Sequence, residues 1–134
     1  GDARYARAAG EMAYRTSGIK SPRQEIDFAE VDDTFAYKEL QHLEALDLCP
    51  VGMAGEWTLA GGTQLTGEFP VNPSGGALGQ GHLLDATGLA RVMEMVLQLR
   101  GEAGQRQIDD AEVGLAFGWR GVPTTGGAAV ILSN

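Results

Sequence analysis

The chain has 134 residues, of which 43% are hydrophobic, and 18 acidic residues against 10 basic ones give a net charge of −8. This length and composition indicate one folded domain, the negative charge argues against nonspecific nucleic-acid binding, and no apolar run reaches the roughly 18 residues that span a bilayer. The single Cys49 excludes an internal disulfide, and with no recognisable signal peptide it predicts a protein of the reducing cytoplasm.

The first half of the chain predicts a helix, a strand and a second helix. Small apolar residues recur on one face of residues 4–16, and Gly18 stands where a helix commonly stops. The alternating run 26–31 predicts a short strand, and helical spacing of apolar residues then predicts a helix over 35–48. The start of the sequence within a helix-like segment suits a fragment or a subunit.

The second half predicts a long loop followed by a helix and two strands. Residues 50–81 carry nine glycines and three prolines with little periodicity, which predicts a loop without regular structure. Residues 84–99 predict the strongest helix, with apolar residues on several faces that indicate deep burial. Strands are predicted at 112–117 and 128–132, and a glycine-rich turn at 118–127 joins them.

A glycine-flanked asparagine and a histidine precede the long helix. Backbone N–H groups and the positive end of the helix dipole attract an oxyanion there, and the His82 imidazole can donate a hydrogen bond or accept a proton near pH 7. Glycines at 75, 76 and 81 let the backbone approach a ligand closely. The alternative is a glycine-rich loop with an ordinary histidine, in which Asn72 is only the turn residue before Pro73.

Five segments of the chain resemble, in order, motifs of the C-terminal half of the thiolase superfamily, and most closely its lipid-transfer (sterol-carrier) members. The glycine-flanked asparagine resembles the NxxGG pattern, and the histidine segment resembles the GHPxGATG pattern, with Leu83 and Asp85 in place of its proline and second glycine. The resemblance extends from about Tyr14 to Leu132. The five segments are residues 30–35, 71–76, 81–88, 98–107 and 126–132.

The resemblance implies an α/β fold, in which a mixed sheet is covered by helices and one helix is buried at the centre. Residues 1–134 would then form the second of two similar thiolase halves, with the N-terminal half absent. In this family the histidine belongs to the active site, so His82 would bind a thioester oxygen and Asn72 would complete the oxyanion hole. Gly75, Gly76 and Gly81 would bind the substrate.

Asp32 departs from the family pattern, because many thiolases have asparagine or histidine at its position. As a carboxylate in a buried site it could act as a general base. Alternatively, Asp32 or Asp33 caps the helix that follows. We favour a capping role for at least one of the two.

The residues that thiolases use for condensation are missing from this chain. Condensing members carry a cysteine near the last glycine-rich turn, and lipid-transfer members often carry a histidine there, but residues 114–121 contain neither. Cys49 matches no family nucleophile and is predicted to be a small buried apolar residue. A retro-aldol cleavage of a β-hydroxyacyl-CoA needs no thiolate, and Asp32, Tyr37 and His82 could serve it.

The leading hypothesis is therefore a part or subunit of an acyl-CoA enzyme that makes or cleaves a carbon–carbon bond by acyl transfer or retro-aldol chemistry. Its partner would be an N-terminal thiolase half or a second copy of the chain, and some thiolase-fold relatives pair with a small zinc-ribbon/OB-fold protein. Coenzyme A enters as the thioester substrate, no cofactor is expected, and the scattered histidines and cysteine give no metal-ligand spacing. The alternatives are a non-catalytic interaction subunit and a lipid- or acyl-binding protein.

Overall fold

A three-stranded mixed sheet lies at the centre of the fold. The computed structural model describes residues 3–120 and 126–134. Strand β1 (Phe28–Glu30) pairs in parallel with β2 (Val113–Arg120), and β2 pairs antiparallel with β3 (Gly126–Ser133). An isolated parallel bridge between Ala29 and Val71 continues the pairing on the free side of β1. The long strand β2 is therefore the middle strand of the sheet.

Helices cover both faces of this sheet. Alternate β2 side chains point to opposite faces, so Leu115 and Phe117 join the larger core while Ala116 packs with Phe28 and Met95. The helices of the described residues are α1 (Arg4–Ser17), α2 (Pro22–Glu25), α3 (Ala36–Ala45), α4 (Ala54–Leu59), α5 (Gly76–Gln80) and α6 (Thr87–Leu99), with 3₁₀ turns at Leu84–Ala86 and Gly104–Arg106. None of them is both long and apolar enough to cross a membrane.

Most predicted elements are confirmed, with shifted ends. Helix α1 ends at Gly18, whose left-handed φ of 80° lets its N–H bond the Tyr14 carbonyl. The second predicted helix is shorter than expected, because α3 ends at Ala45 and Asp47 takes a positive φ of 57°. Both C-terminal strands are present and longer than predicted. The two ends of the turn predicted at 118–127 belong to the strands: residues 118–120 lie in β2 and 126–127 in β3. Residues 121–125 lie outside the described residues.

The prediction that residues 50–81 lack regular structure is wrong. This segment contains α4 and α5, and it also supplies Val71 to the sheet. The sequence pattern does not show these helices, because each is too short for a helical repeat of apolar residues and the segment is rich in glycine and proline. Backbone hydrogen bonds fold the segment back on itself, with the N–H of Phe69 donating to Gly62 and that of Val71 to Thr63.

Helix α6 packs against the sheet on one side only. Its buried side combines Met95 with the polar residues Thr87, Arg91, Glu94 and Gln98. On the other side Leu89, Met93 and Val96 are 69%, 64% and 36% exposed. The apolar pattern of this helix predicts deep burial on several faces. One face is buried, and nothing among residues 3–120 and 126–134 covers the second apolar face.

Candidate active site

A cleft of about 850 Å³ opens where β1 and β2 reach their carboxyl ends. This edge of a parallel pair is where α/β proteins commonly bind ligands. Side chains from four parts of the fold meet there: the end of β1, the segment before α6, α6 itself and the β2–β3 pair. The residues lining it include Asp32, Phe35, His82, Arg91 and Trp119. The cleft thus brings together two of the predicted catalytic residues, His82 and Asp32.

His82 is exposed on the link between α5 and the 3₁₀ turn that leads into α6. Its Nδ1 accepts the Leu84 N–H at 3.0 Å. A neutral imidazole with an accepting Nδ1 carries its proton on Nε2, so His82 presents a hydrogen-bond donor. Thr87 holds the turn in place, because its hydroxyl accepts the Leu83 N–H and donates to the Leu84 carbonyl.

Asp32 is buried and paired with a buried arginine of α6. Its Oδ2 lies 3.0 Å from Arg91 Nη2, and its Oδ1 accepts the N–H of Thr34. Asp32 is 2% exposed and Arg91 4% exposed. The Nε and Nη2 atoms of Arg91 make no aligned hydrogen bond, so charge attraction in a poorly solvated place holds this pair together.

The adjacent Asp33 does cap a helix, but not the one that follows it. Its two carboxylate oxygens accept the N–H groups of Ala77 and Leu78 at the start of α5, at 2.8 and 3.2 Å. Helix α3 begins after Phe35 and has no side-chain cap. The prediction that one aspartate caps α3 is therefore wrong, because the chain brings α5 to this carboxylate from 44 residues away.

Asn72 lies behind the cleft and does not line it. Its Oδ1 accepts the Val31 N–H at 2.8 Å, and its Nδ2 donates to Glu39 Oε2 at 2.9 Å. The residue has a φ of 50°, a conformation that asparagine tolerates well. The two ends of the amide thus tie the loop to the residue that follows β1 and to α3. Burial raises the pKa of the Glu39 carboxyl that the amide contacts.

The three predicted substrate-binding glycines lie beside the cleft. Gly75, Gly76 and Gly81 all have positive φ values, of 95°, 60° and 96°. A Cβ on Gly76 would stand 2.0 Å from Asp33 Oδ2, so glycine is needed for the cap on α5. Gly76 and Gly81 line a small second cavity that shares Arg91 with the main cleft. Their contact with a substrate stays a prediction.

Glu30 is a buried acid at this second cavity that the sequence did not single out. Its carboxylate accepts the Ser74 N–H at 2.9 Å and the Ser74 hydroxyl at 2.8 Å. Burial raises the pKa of Glu30 to about 7, the two Ser74 hydrogen bonds oppose that rise, and the charge of Glu94 adds to it. Glu30 belongs to the segment 30–35 that resembles a family motif, and this position in the motif is the sequence feature that could have marked it as a site residue.

His42 was also missed, and it is fully buried beneath the site. Its Nδ1 lies 2.8 Å from the Asp32 carbonyl oxygen, and its Nε2 lies 3.0 Å from the Tyr5 hydroxyl. Burial lowers the pKa of His42 to about 4, so the ring is neutral near pH 7. A signal did exist, since position 42 precedes the apolar residues Ala45 and Leu46 by three and four positions, which is the spacing of one helix face.

The remaining candidates lie away from the lining of the cleft. Cys49 is buried as predicted, and burial raises the pKa of its thiol to about 11, which disfavours the thiolate. Tyr37 is exposed and stacks on Phe35 with ring centroids 5.9 Å apart. Within residues 3–120 and 126–134, no three His, Cys, Asp or Glu side chains cluster as metal ligands.

A mixed sheet between helices, with a histidine in a cleft at the carboxyl ends of parallel strands, defines an α/β protein of the class whose ligands commonly bind at the strand ends. The family model described as thiolase C-terminal domain-like matches residues 3–134. The chain belongs to that family, as its motifs predict.

Two curated relatives and one solved structure show what the chain is similar to. Sterol carrier protein 2 of Oryctolagus cuniculus is 42% identical over 123 residues, which are 92% of this chain and 21% of that protein. Acetyl-CoA acetyltransferase of Methanothermobacter thermautotrophicus is 42% identical over 126 residues, 94% of this chain and 30% of that protein. The solved Ltp2–ChsH2(DUF35) aldolase matches with a TM-score of 0.81 at 27% identity, covering 96% of this chain and 31% of the matched chain. The chain thus spans between about a fifth and a third of the length of these proteins.

Proposed function

We propose that this chain is the C-terminal part of a thiolase-like acyl-CoA enzyme that makes or cleaves a carbon–carbon bond. One observation carries the proposal. His82 lies in the cleft with its Nδ1 occupied by the Leu84 N–H, so its free Nε2 is the protonated nitrogen. A donor held in this way suits a thioester oxygen on which negative charge develops, because it needs no reorganisation during the reaction.

Retro-aldol cleavage fits the available residues better than acyl transfer. In this route Asp32 accepts the proton of a C3 hydroxyl, and the C2–C3 bond breaks to release a carbonyl compound. The electron pair moves into a thioester enolate whose oxygen accepts a hydrogen bond from His82, and C2 then takes the proton that Asp32 accepted. Acyl transfer by condensation would need the cysteine or histidine that family members carry near the last glycine-rich turn, and residues 114–121 contain neither. The buried Cys49, with its raised pKa, does not replace it.

The proposal also requires a partner chain or segment. Leu89, Met93 and Val96 form an exposed apolar face on α6, and a large apolar patch commonly marks an interface. An N-terminal thiolase half is the proposed cover, and a second copy of this chain or a zinc-ribbon/OB-fold protein are further candidates. The aldolase partner in the name of the matched structure supports a two-chain enzyme. Such an enzyme would act on acyl-CoA in the cytoplasm, with Gly75, Gly76 and Gly81 near the substrate.

A non-catalytic subunit is the second candidate function. It is favoured by the burial of Asp32 and its pairing with Arg91, which are also the properties of a structural ion pair. The acyl-binding alternative has no such specific support.

The test is to replace His82 with alanine in the native protein that contains this chain. Loss of one oxyanion donor typically lowers turnover about 10²- to 10³-fold, and the melting temperature should hardly change because His82 is exposed. Asn72→Ala should lower turnover less, since it orients the loop. Turnover of a 3-hydroxyacyl-CoA is measured as release of the carbonyl product. Gln105→Ala, at an exposed position, is the control.

Two outcomes would contradict the proposal. Unchanged turnover in His82→Ala would remove the oxyanion role. Robust formation of acetyl-CoA from acetoacetyl-CoA and free CoA, abolished by Cys49→Ala, would make Cys49 the nucleophile and would replace the retro-aldol route.

A further inference from the structure

Three side chains form a directed hydrogen-bond chain beneath the cleft. The Asp32 carbonyl can only accept, so the His42 Nδ1 at 2.8 Å must carry the proton. The unprotonated Nε2 then accepts from the Tyr5 hydroxyl at 3.0 Å. Lys38 Nζ donates in turn to the Tyr5 oxygen at 3.2 Å. Each contact fixes the direction of the next, and the chain ends at the backbone of Asp32.

The packing around His42 leaves its ring little freedom. The ring is fully buried and meets Phe117 edge-on, with centroids 4.8 Å apart. It also meets the Tyr5 ring edge-on at 5.8 Å. A side chain so confined can hold its hydrogen-bond partner in one orientation.

The position of the Asp32 carbonyl sets the orientation of both aspartate side chains. It shares a planar peptide unit with the Asp33 N–H, so fixing the carbonyl fixes the backbone from which both carboxylates extend. Asp32 then reaches Arg91 at the cleft, and Asp33 reaches the start of α5. The N-cap residue of α3 makes no side-chain cap, and the His42 bond is a direct hydrogen bond from α3 to this peptide.

We propose that His42 is a positioning residue that holds Asp32 in the cleft through the Asp32 backbone carbonyl. The inference rests on the proposed function for the role of Asp32 in turnover, whereas the positioning itself can be measured without turnover. His42 is not among the residues that line the cleft, so its proposed effect on turnover passes through Asp32.

Two variants separate the two nitrogens of His42. Asparagine places an amide N–H near the position of Nδ1, so His42→Asn keeps a donor for the Asp32 carbonyl and loses the Tyr5 contact. Glutamine places its amide near Nε2, so His42→Gln keeps a partner for Tyr5 and loses the Asp32 contact. Both substitutions put an amide in the same buried space, and Tyr5→Phe serves as a control that removes only the hydroxyl.

The first measurement uses NMR on the 134-residue chain. We expect the Asp32 carbonyl ¹³C signal to move upfield in His42→Gln, because a lost hydrogen bond reduces its deshielding. In His42→Asn and Tyr5→Phe it should stay near the wild-type position. If the Asp32 carbonyl signal moved no further from its wild-type position in His42→Gln than in His42→Asn, the proposal would be overturned. This holds whether or not the chain belongs to an active enzyme.

The second measurement is turnover of the native protein with a 3-hydroxyacyl-CoA. We expect kcat to fall roughly 10- to 100-fold in His42→Gln, the scale of a misplaced catalytic group, and less than threefold in His42→Asn at a similar melting temperature. Equal losses of kcat that follow the melting temperature would assign His42 to stability alone and would overturn the proposal. Absence of turnover in the wild type would count against the proposed function, and the NMR result would still decide the positioning.

Discussion

At the scale of single residues, the carboxylates at the end of β1 have different tasks although they lie within four positions of one another. Glu30 accepts two hydrogen bonds from Ser74, Asp32 pairs with Arg91, and Asp33 caps α5. Burial makes each of these partners necessary, because an unpaired buried charge is costly. Two substitutions nearby have outcomes that follow from this geometry.

Replacing Gly76 with alanine should destabilise the protein by about 2 kcal/mol or more. A left-handed conformation costs a residue with a Cβ about 1–2 kcal/mol, and the new Cβ would also displace the Asp33 carboxylate, from which it would lie 2.0 Å away. The control is Gly79→Ala in the same helix, where the added Cβ meets no atom within 4 Å apart from its chain neighbours and the backbone of its own helix. Chemical denaturation measures both, and equal stability of the two variants would contradict the cap geometry.

Replacing Glu30 with glutamine should flatten the dependence of stability on pH. The folded-state pKa of Glu30 is raised from 4.5 to about 7, so the folded state binds the proton more tightly. Its contribution to stability is complete below pH 4.5 and is lost as pH rises through 7. By pH 8 the wild type should have lost about 3 kcal/mol relative to Glu30→Gln. Urea denaturation from pH 4 to pH 8 tests this, with exposed Glu11→Gln as the control; parallel curves would contradict it.

At the scale of elements, α6 joins the site to the rest of the fold through a polar buried side. Arg91 reaches Asp32 and Asp33, and Glu94 accepts two hydrogen bonds from Arg106. Gln98 binds the Arg106 carbonyl and the Ile108 N–H, which fixes the segment that leads to β2. The helix is therefore held by specific polar pairs as well as by Met95.

Removing the charge of Arg91 should be among the more damaging single changes on this helix. Arg91→Met leaves two buried carboxylates without their cation, which typically costs about 3–5 kcal/mol. Arg100→Met is the matched control, because Arg100 lies at the end of the same helix in an exposed pair with Glu102, and such pairs contribute about 0–1 kcal/mol. A loss in Arg91→Met no larger than that in Arg100→Met would show that the Asp32–Arg91 pair is dispensable for folding.

At the scale of the whole molecule, the described part of the chain packs a core around its sheet and leaves the apolar face of α6 exposed. We expect the chain to associate with another chain through Leu89, Met93 and Val96. Met93→Glu should weaken that association about 10- to 100-fold, corresponding to the burial of one methionine side chain, with the melting temperature of the isolated chain unchanged.

The control for the interface is Met12→Glu on α1. Met12 and Met93 are 62% and 64% exposed, so the two changes introduce similar charges at similar accessibility on different helices. Light scattering and native pull-down report the association. A folded monomer at micromolar concentration with no copurifying partner would exclude the interface, and equal effects of both variants would place it elsewhere.

The sequence by itself determined the family, the order of the main elements and the position of His82 before α6. Helical and alternating patterns extend over several residues, so α1, α3, α6 and the C-terminal strands are visible in it. The motif 81–88 likewise marks His82 because its neighbours in the chain are its neighbours in space. Its role at a thioester remains a prediction.

Only the tertiary structure decided which distant residues meet. Asp33 caps a helix that begins 43 residues later, Arg91 reaches back to β1, and His42 contacts Asp32 across the start of α3. Such pairings depend on how elements pack, and no local pattern encodes them. Asn72 is a further example, because its amide contacts Val31, just after β1, and Glu39 of α3. Its sequence neighbours predict a turn, but only the packing of these elements decides which groups its side chain binds.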